Sequence, residues 1–506
     1  MENEQQGIRN GEPLVRCRWG QGRADSSFVA HRFTDELAWP EMVATGSRAL
    51  PRVVVAGLSG DSGKTLVSLG LVLLAREAGL PVAAFKKGPD YIDAAWLTWA
   101  SSRPCRHLDA YLMGPEKVSV SFYTHAESPG LNVIEGNRGI YDGFDARGTH
   151  STAELAKLLQ APVILVINAT KMTRTGAALV LGCQKLDPEV AIAGVVLNQI
   201  SNRRHEQVLR QAVETSCGVP VVGVIPRARG EAPLPGRHLG LVTPEEHPGI
   251  TVLKQNLLSL VHGHLDLTRI LEIAGSAAAL AQPAERQEIA QDGRGLKIGY
   301  LKDSAFTFYY PENLEAIERS CAALEAISAL SGAPLPGDLD ALYIGGGFPE
   351  THGASIAVNQ PFLKSVQQCA ANGLPIYAEC GGLMLLARAM TWRGRRYPMS
   401  GVLPVEIEVC DTPQGHGYMH MAVDTPNPFF ALGLELRGHE FHYSRIVPEG
   451  DLPPTACSVT RGAGSYPGRD GIISKNVWAS YAHLHALATP QWAAGLLAAA
   501  HRYAGR

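Results

Sequence analysis

Val53-Val54-Val55-Ala56-Gly57-Leu58-Ser59-Gly60-Asp61-Ser62-Gly63-Lys64-Thr65 reads as a short apolar strand, a glycine-rich turn and the first turn of a helix. Strand, loop and helix in that order are the setting a phosphate-binding loop requires. The backbone N–H groups of Gly60, Asp61, Ser62 and Gly63 and the helix N-terminus would cradle phosphates. Lys64 would neutralise their charge and Thr65 would ligate Mg²⁺. Five residues rather than four separate Gly57 from Gly63, so the spacing departs from the standard loop. A chance glycine turn is the bland alternative, and the flanking strand and helix argue against it.

Outward from this stretch the alternation repeats. Apolar runs at Val82–Phe85, Leu131–Ile134, Val163–Ile167 and Ala193–Leu197 are separated by helical patterns, among them Thr65–Ala78, Thr152–Leu159 and Thr173–Leu186. Short strands interleaved with helices predict α/β architecture around a parallel sheet covered on both faces. The pattern lapses at Ala274–Gly295 and resumes at Leu296-Lys297-Ile298-Gly299-Tyr300. A strand at Ala341–Ile344, a helix over His352–Asn372 and a strand at Pro375–Ala378 follow. Beyond Trp392 the chain is strand-rich until a closing helix near Gln491–Tyr503. Residues 1–50 are polar and aperiodic and read as a partly ordered extension. The expected organisation is that extension, a P-loop ATP-binding domain over 51–273, a linker over 274–295 and a second α/β domain over 296–506.

Composition narrows the class. A chain of 506 residues exceeds one ordinary core, and 45% apolar with 18% charged residues describes a globular protein. Lys and Arg number 45 against 48 Asp and Glu, a net charge of −3 that gives no reason to expect nucleic acid. The nine cysteines stand singly, which argues against zinc and disulfide frameworks and suits a reducing cytoplasm. No run of membrane-spanning length and no signal-peptide core are apparent.

Two chemistries are written into the chain. Open α/β sheets bind ligands beyond the C-terminal strand ends. Asp90, in Lys86-Lys87-Gly88-Pro89-Asp90-Tyr91-Ile92-Asp93, and Glu135 lie there and are the candidate carboxylates for Mg²⁺ beside Thr65. Far downstream, Tyr377-Ala378-Glu379-Cys380-Gly381-Gly382 puts a cysteine on a strand-to-helix turn. Such an elbow exposes the thiol and aims it at a helix N-terminus, which favours thiolate. Gly381 would give one oxyanion N–H, and Gly346 or Gly347 the other. Two histidine clusters, His483 with His485 and His439 with His442, offer a base, and spacing alone does not choose between them. One chain with both motifs spends ATP to activate one substrate and uses a thiol to cut another.

These segments resemble the cobyrinic acid a,c-diamide synthase family, which joins a dethiobiotin-synthetase-like ATP domain to a class I-like glutaminase domain. The resemblance spans about residues 51–506. It rests on Gly63-Lys64-Thr65, the Lys87–Asp93 segment, Leu108-Asp109, Glu135-Gly136, Tyr141-Asp142-Gly143 and Arg237-His238-Leu239-Gly240-Leu241. In the second half it rests on Phe308-Tyr309-Tyr310, Gly345–Glu350, Ala378–Gly382 and Gly438–Ser444. It implies that 296–506 is a glutamine amidotransferase domain, with Cys380 as nucleophile and His483 as base. Thr65, Asp90 and Glu135 would hold Mg²⁺, and Asn198 would contact adenine. Class I glutaminases often carry Glu two residues after the histidine; His485 stands there, so a Cys–His dyad is expected. ATP would convert a carboxylate to an acyl phosphate, and ammonia from L-glutamine would displace the phosphate. The implied acceptor is a tetrapyrrole, commonly cobyrinic acid amidated on its a and c acetates; related members take nickel-sirohydrochlorin or sirohaem. Asn137-Arg138 departs from the usual apolar residues, a change that would mark the alternative, a sirohaem-type acceptor; Arg138, Tyr141 and Asp142 are expected to face the acceptor. The rival from another class is a P-loop ATPase switch with an inactive glutaminase domain. A cobyric acid synthase-type amidase and an ammonia-dependent ligase are the rivals among enzymes. A homodimer is compatible with the sequence, which does not set the oligomeric state.

Overall fold

The computed structural model describes residues 46–227, 236–237, 240–284, 292–448 and 450–505. Residues 1–45 of the expected extension, and His238 and Leu239 of the family motif, lie outside them. The first sheet has seven strands: β1 (Arg52–Gly57), β2 (Val82–Lys87), β3 (Arg106–Leu108), β4 (Leu131–Glu135), β5 (Val163–Asn168), β6 (Ile192–Ile200) and β7 (Val221–Pro226). They run parallel in the order β3-β2-β4-β1-β5-β6-β7. Val53, Val54 and Val55 are fully buried, as near-continuous apolar runs in parallel sheets should be. The chain fills one side of β1 with β2, β3 and β4, then the other with β5 to β7. The loops after β1, β2 and β4 therefore leave neighbouring strand ends at the switch point. Helices α1 (Lys64–Glu77) and α2 (Tyr91–Ser101) start there.

Strands β3 and β7 escape the periodicity reading. Arg106-His107-Leu108 is too short and too polar to register as a strand, although all three residues are buried. Residues 46–50 of the expected extension join the fold. Ser47–Arg48 pairs antiparallel with Leu280–Ala281, inside the stretch read as a linker, and Leu50 is buried in the core. Two-residue strands carry no pattern to read.

The second sheet has ten strands: β8 (Lys297–Leu301), β9 (Ala323–Ile327), β10 (Ala341–Ile344), β11 (Ile376–Glu379), β12 (Gly415–Val423), β13 (Glu435–His442), β14 (Thr455–Arg461), β15 (Arg469–Ser474), β16 (Val477–Ser480) and β17 (His483–Leu484). Their order is β9-β8-β10-β11-β16-β15-β14-β12-β13-β17. The first five are parallel; from β16 onward every pairing is antiparallel. The helix expected over His352–Asn372 is broken into Gly353–Val358 and Gln360–Ala371. Pro361 has no N–H to carry the first helix onward but fits the first turn of the second, which Asn359 caps by accepting from the Phe362 N–H. Among the described residues no helix is long and apolar enough to cross a membrane.

Candidate active site

One cavity of about 970 Å³ is lined by Lys64 and Thr65 of the first sheet's loop and by Cys380 and His483 of the second sheet. Its walls come from strand ends of both sheets, so the two motifs separated by more than three hundred residues of sequence open on one space.

On the phosphate-loop side, Lys64 Nζ donates to the Ser59 and Gly60 carbonyls at 2.8 and 3.3 Å, and burial lowers its pKa. Thr65 Oγ1 donates to Glu135 Oε1 at 2.8 Å. Lys86, passed over in the sequence, is the hub of this cluster. Its Nζ reaches Asp93 Oδ2 at 2.6 Å, Glu135 Oε1 at 3.0 Å and the Gly136 carbonyl at 3.2 Å. Burial works against the Lys86 ammonium, but Asp93 and Glu135 outweigh it and raise its pKa. Burial raises Glu135 and Asp90 above the usual carboxylate range. Asp93 meets the same burial, but Lys86 overcomes it and lowers its pKa.

Of the expected carboxylates, then, Glu135 sits beside Thr65, whereas Asp90 Oδ1 caps α2 by accepting from the Ile92 and Asp93 N–H groups. Asp93 is the carboxylate that shares Lys86 with Glu135. Asn198 lies against the loop. Its Nδ2 donates to the Ser62 carbonyl at 3.0 Å, and a Cβ on Gly63 would fall 2.1 Å from that nitrogen. This amide braces the loop, a role the expectation of an adenine contact leaves out. Gly60, Asp61, Gly63, Arg138 and Asp142 also face the cavity. Tyr141 does not line it: its hydroxyl donates to the Cys183 carbonyl at 2.6 Å.

On the thiol side, Cys380 has φ 49° and ψ −99°, the strained turn of a nucleophile elbow, and its N–H donates to the Ser480 carbonyl at 2.7 Å. The helix that follows, Gly381–Leu386, is short. Burial pushes the Cys380 thiol well up, with the Glu350 carboxylate adding to it. Attack therefore needs a base at the moment of reaction. Gly381 packs on the loop after β10, where a Cβ would meet Gly347 N at 3.0 Å; a Cβ on Gly346 would meet His483 Cε1 at 2.5 Å. Glycine at these positions lets His483, the elbow and the oxyanion loop close on one another.

His483 is buried, and its ring stacks on His439 with centroids 4.9 Å apart. Glu379, also missed in the sequence, places Oε2 at 3.6 Å from His483 Nδ1. Glu379 is fully buried and held by the Tyr343 hydroxyl at 3.1 Å and the Leu484 N–H at 3.1 Å. Its place directly before the nucleophile was the only sequence signal. His485 points elsewhere: Nε2 lies 3.5 Å from Glu312, which Arg106 of β3 approaches at 3.6 Å. Burial raises Glu312, but His485 and Arg106 overcome it and bring its pKa down to about 2. Arg106 also reaches Glu315 at 2.5 Å, so this network ties one sheet to the other. Tyr91, at the start of α2, stacks on Phe308 at 5.1 Å and lies 5.2 Å from His483, ring centre to ring centre.

Comparison with known proteins agrees with this division. Residues 53–241 match the CobQ/CobB/MinD/ParA nucleotide-binding domain, and residues 297–491 match the CobB/CobQ-like glutamine amidotransferase domain. The chain is similar to the cobyrinate a,c-diamide synthase of Magnetococcus marinus, 41% identical over 88% of this chain and 96% of that one. It is similar to that of Dehalococcoides mccartyi strain CBDB1, 40% identical over 86% and 95%. That of Archaeoglobus fulgidus is 38% identical over 87% and 95%. A nucleotide-binding α/β domain, a glutamine amidotransferase domain and relatives matched over nearly their whole length lead to one conclusion: the chain belongs to the cobyrinate a,c-diamide synthase family of glutamine-using, amide-forming ligases.

Proposed function

We propose that this protein amidates the a and c acetate carboxylates of cobyrinate in cobalamin biosynthesis, consuming ATP and L-glutamine. The observation that carries the reading is the single cavity lined by both the phosphate loop and Cys380. A carboxylate cannot be amidated directly, because oxide is too poor a leaving group. In the ATP half a carboxylate oxygen attacks the γ-phosphorus, the bond to ADP breaks, and an acyl phosphate forms. Lys64 and the loop N–H groups of Gly60–Gly63 stabilise charge on the transferred group, positioned by β1 and α1. Mg²⁺ fits the residues present, since Glu135 Oε2 is buried with no hydrogen-bond partner among the described residues, beside Thr65. Thr65, Glu135 and Asp90, with water and phosphate oxygens, would hold it, and it would supply charge neutralisation on the phosphates.

In the glutamine half, the Cys380 sulfur attacks the amide carbon while His483 takes the thiol proton. The Gly381 N–H and an N–H of Gly346 or Gly347 receive the oxyanion. His483 returns the proton to the departing nitrogen, releasing ammonia and leaving a thioester. Water then attacks with His483 as base, and glutamate leaves as the thiol reforms. Glu379, its Oε2 3.6 Å from His483 Nδ1, would steady the imidazolium by charge from behind the ring. Ammonia attacks the acyl carbon, phosphate departs with the bonding pair, and one proton is lost. The test is mass spectrometry of enzyme with ATP, Mg²⁺ and glutamine, offered cobyrinate and sirohaem side by side. Conversion of two carboxylates on cobyrinate is expected; conversion of sirohaem alone would move the enzyme to a different tetrapyrrole.

A further inference from the structure

We propose that the glutaminase-side sheet supplies part of the acceptor site, with Arg461 taking a carboxylate of the polycarboxylate macrocycle across the cavity from Arg138. The inference deepens the reading above and rests on it for the acceptor's chemistry. Arg461 ends β14, its Cα partnered with His420 on β12. Strand β12 is fastened to the other half of the molecule through Tyr418. The Tyr418 ring stacks on Tyr111 with centroids 4.1 Å apart, and its hydroxyl donates to Asp109 Oδ2 at 2.8 Å. That clasp fixes where Arg461 stands: its guanidinium carbon lies 3.9 Å from the ring centre of Phe144, directly after Asp142-Gly143. Phe144, Tyr418, Arg138 and Arg461 all line the cavity.

Charge completes the case. Among the described residues neither Arg138 nor Arg461 has a carboxylate within ion-pair distance; Arg138 has only His416 Nε2, at 3.5 Å. Arg138 also sits at φ 51°, a left-handed conformation that a branched-chain-free but bulky L residue adopts at a cost. Two uncompensated guanidiniums beside an aromatic wall suit a flat macrocycle bearing several carboxylates, since each guanidinium gives a charge-assisted, bidentate grip. As packing alone, an exposed guanidinium over a ring contributes only about 0.5–1 kcal/mol, so replacing Arg461 leaves the fold intact.

The test is Arg461→Met and Arg461→Lys, assayed with ammonium as nitrogen source to take glutamine out of the measurement. The KM for cobyrinate should rise about tenfold or more in the Met variant and less in the Lys variant, while the KM for ATP holds. An unchanged acceptor KM in Arg461→Met overturns the proposal. So does a matching fall in glutamine hydrolysis, which would trace the effect to a displaced glutaminase half. Failure of the acceptor reading shows separately, as wild-type enzyme that converts sirohaem and not cobyrinate. The same KM comparison is then made on sirohaem, and an unchanged value there overturns the Arg461 claim equally.

Discussion

Burial, with the Glu350 carboxylate adding to it, pushes the Cys380 thiol up, so its reactivity depends on the partner that takes its proton. Cys380→Ala should abolish glutamine-driven product and leave ammonium-driven product; assaying both nitrogen sources in parallel checks this, and equal loss with both would count against a role confined to glutamine. Glu379→Gln tests the support behind His483. Glutamine keeps one oxygen to accept from the Leu484 N–H, but its NH2 cannot accept from the Tyr343 hydroxyl and it no longer stabilises an imidazolium. Glutamine-driven kcat should fall about 100-fold or more with ammonium-driven kcat retained. On the opposite wall, Lys86→Met strands the buried Glu135 and the partly buried Asp93, and the cost should be about 3–5 kcal/mol in denaturant unfolding, with amidation lost under both nitrogen sources. Cys380 and the phosphate loop were legible because each carries its own glycine punctuation. Lys86, Glu379 and Asp93 were not: a charged residue inside or just after a strand gives no pattern, and its meaning comes from neighbours brought in by strands β2, β4, β10 and β17.

At the scale of elements, the parallel sheet around β1 was readable from five apolar runs, while β3 was hidden by Arg106 and His107. Those residues are polar because β3 meets the helix Pro311–Arg319 of the second half, where Arg106 reaches Glu312 and Glu315, and His107 lies edge-on to Tyr310 at 4.9 Å. Burial lowers the His107 pKa to about 4 from 6.5. The unfolded chain therefore binds more protons between those values, and stability contributed by neutral His107 is lost as pH falls from about 6.5 toward 4. Glu312, depressed to about 2 from 4.5, adds a second loss as pH falls from about 4.5 toward 2. Between pH 6.5 and 4, melting temperature followed by calorimetry should fall further in the wild type than in His107→Gln, since Glu135 and Asp90, raised by burial, act in the opposite direction in both. Equal changes in the two proteins would show that this seam does not titrate with folding. The expected single helix over His352–Asn372 failed for a local reason, Pro361, that the apolar periodicity had masked.

At the scale of the whole molecule, two sheets with unrelated connectivity turn their strand ends toward one cavity, clasped by Tyr91 on Phe308, Tyr418 on Tyr111 and the Arg106–Glu312–His485 network. No motif in the sequence announces this docking, because each half reads as a complete α/β unit and the clasp is made of single aromatic and charged residues. On the proposed mechanism, ammonia released at Cys380 would meet the acyl phosphate inside this cavity without first equilibrating with solvent. The most direct measurement supplies glutamine labelled with heavy nitrogen at the amide, together with unlabelled ammonium matched to it in concentration, and reads the isotope in the new amides of cobyrinate. Label enriched well above the bulk ratio is the predicted result. Amides carrying the isotope ratio of the bulk solution, or no amidation of cobyrinate at all, would contradict it.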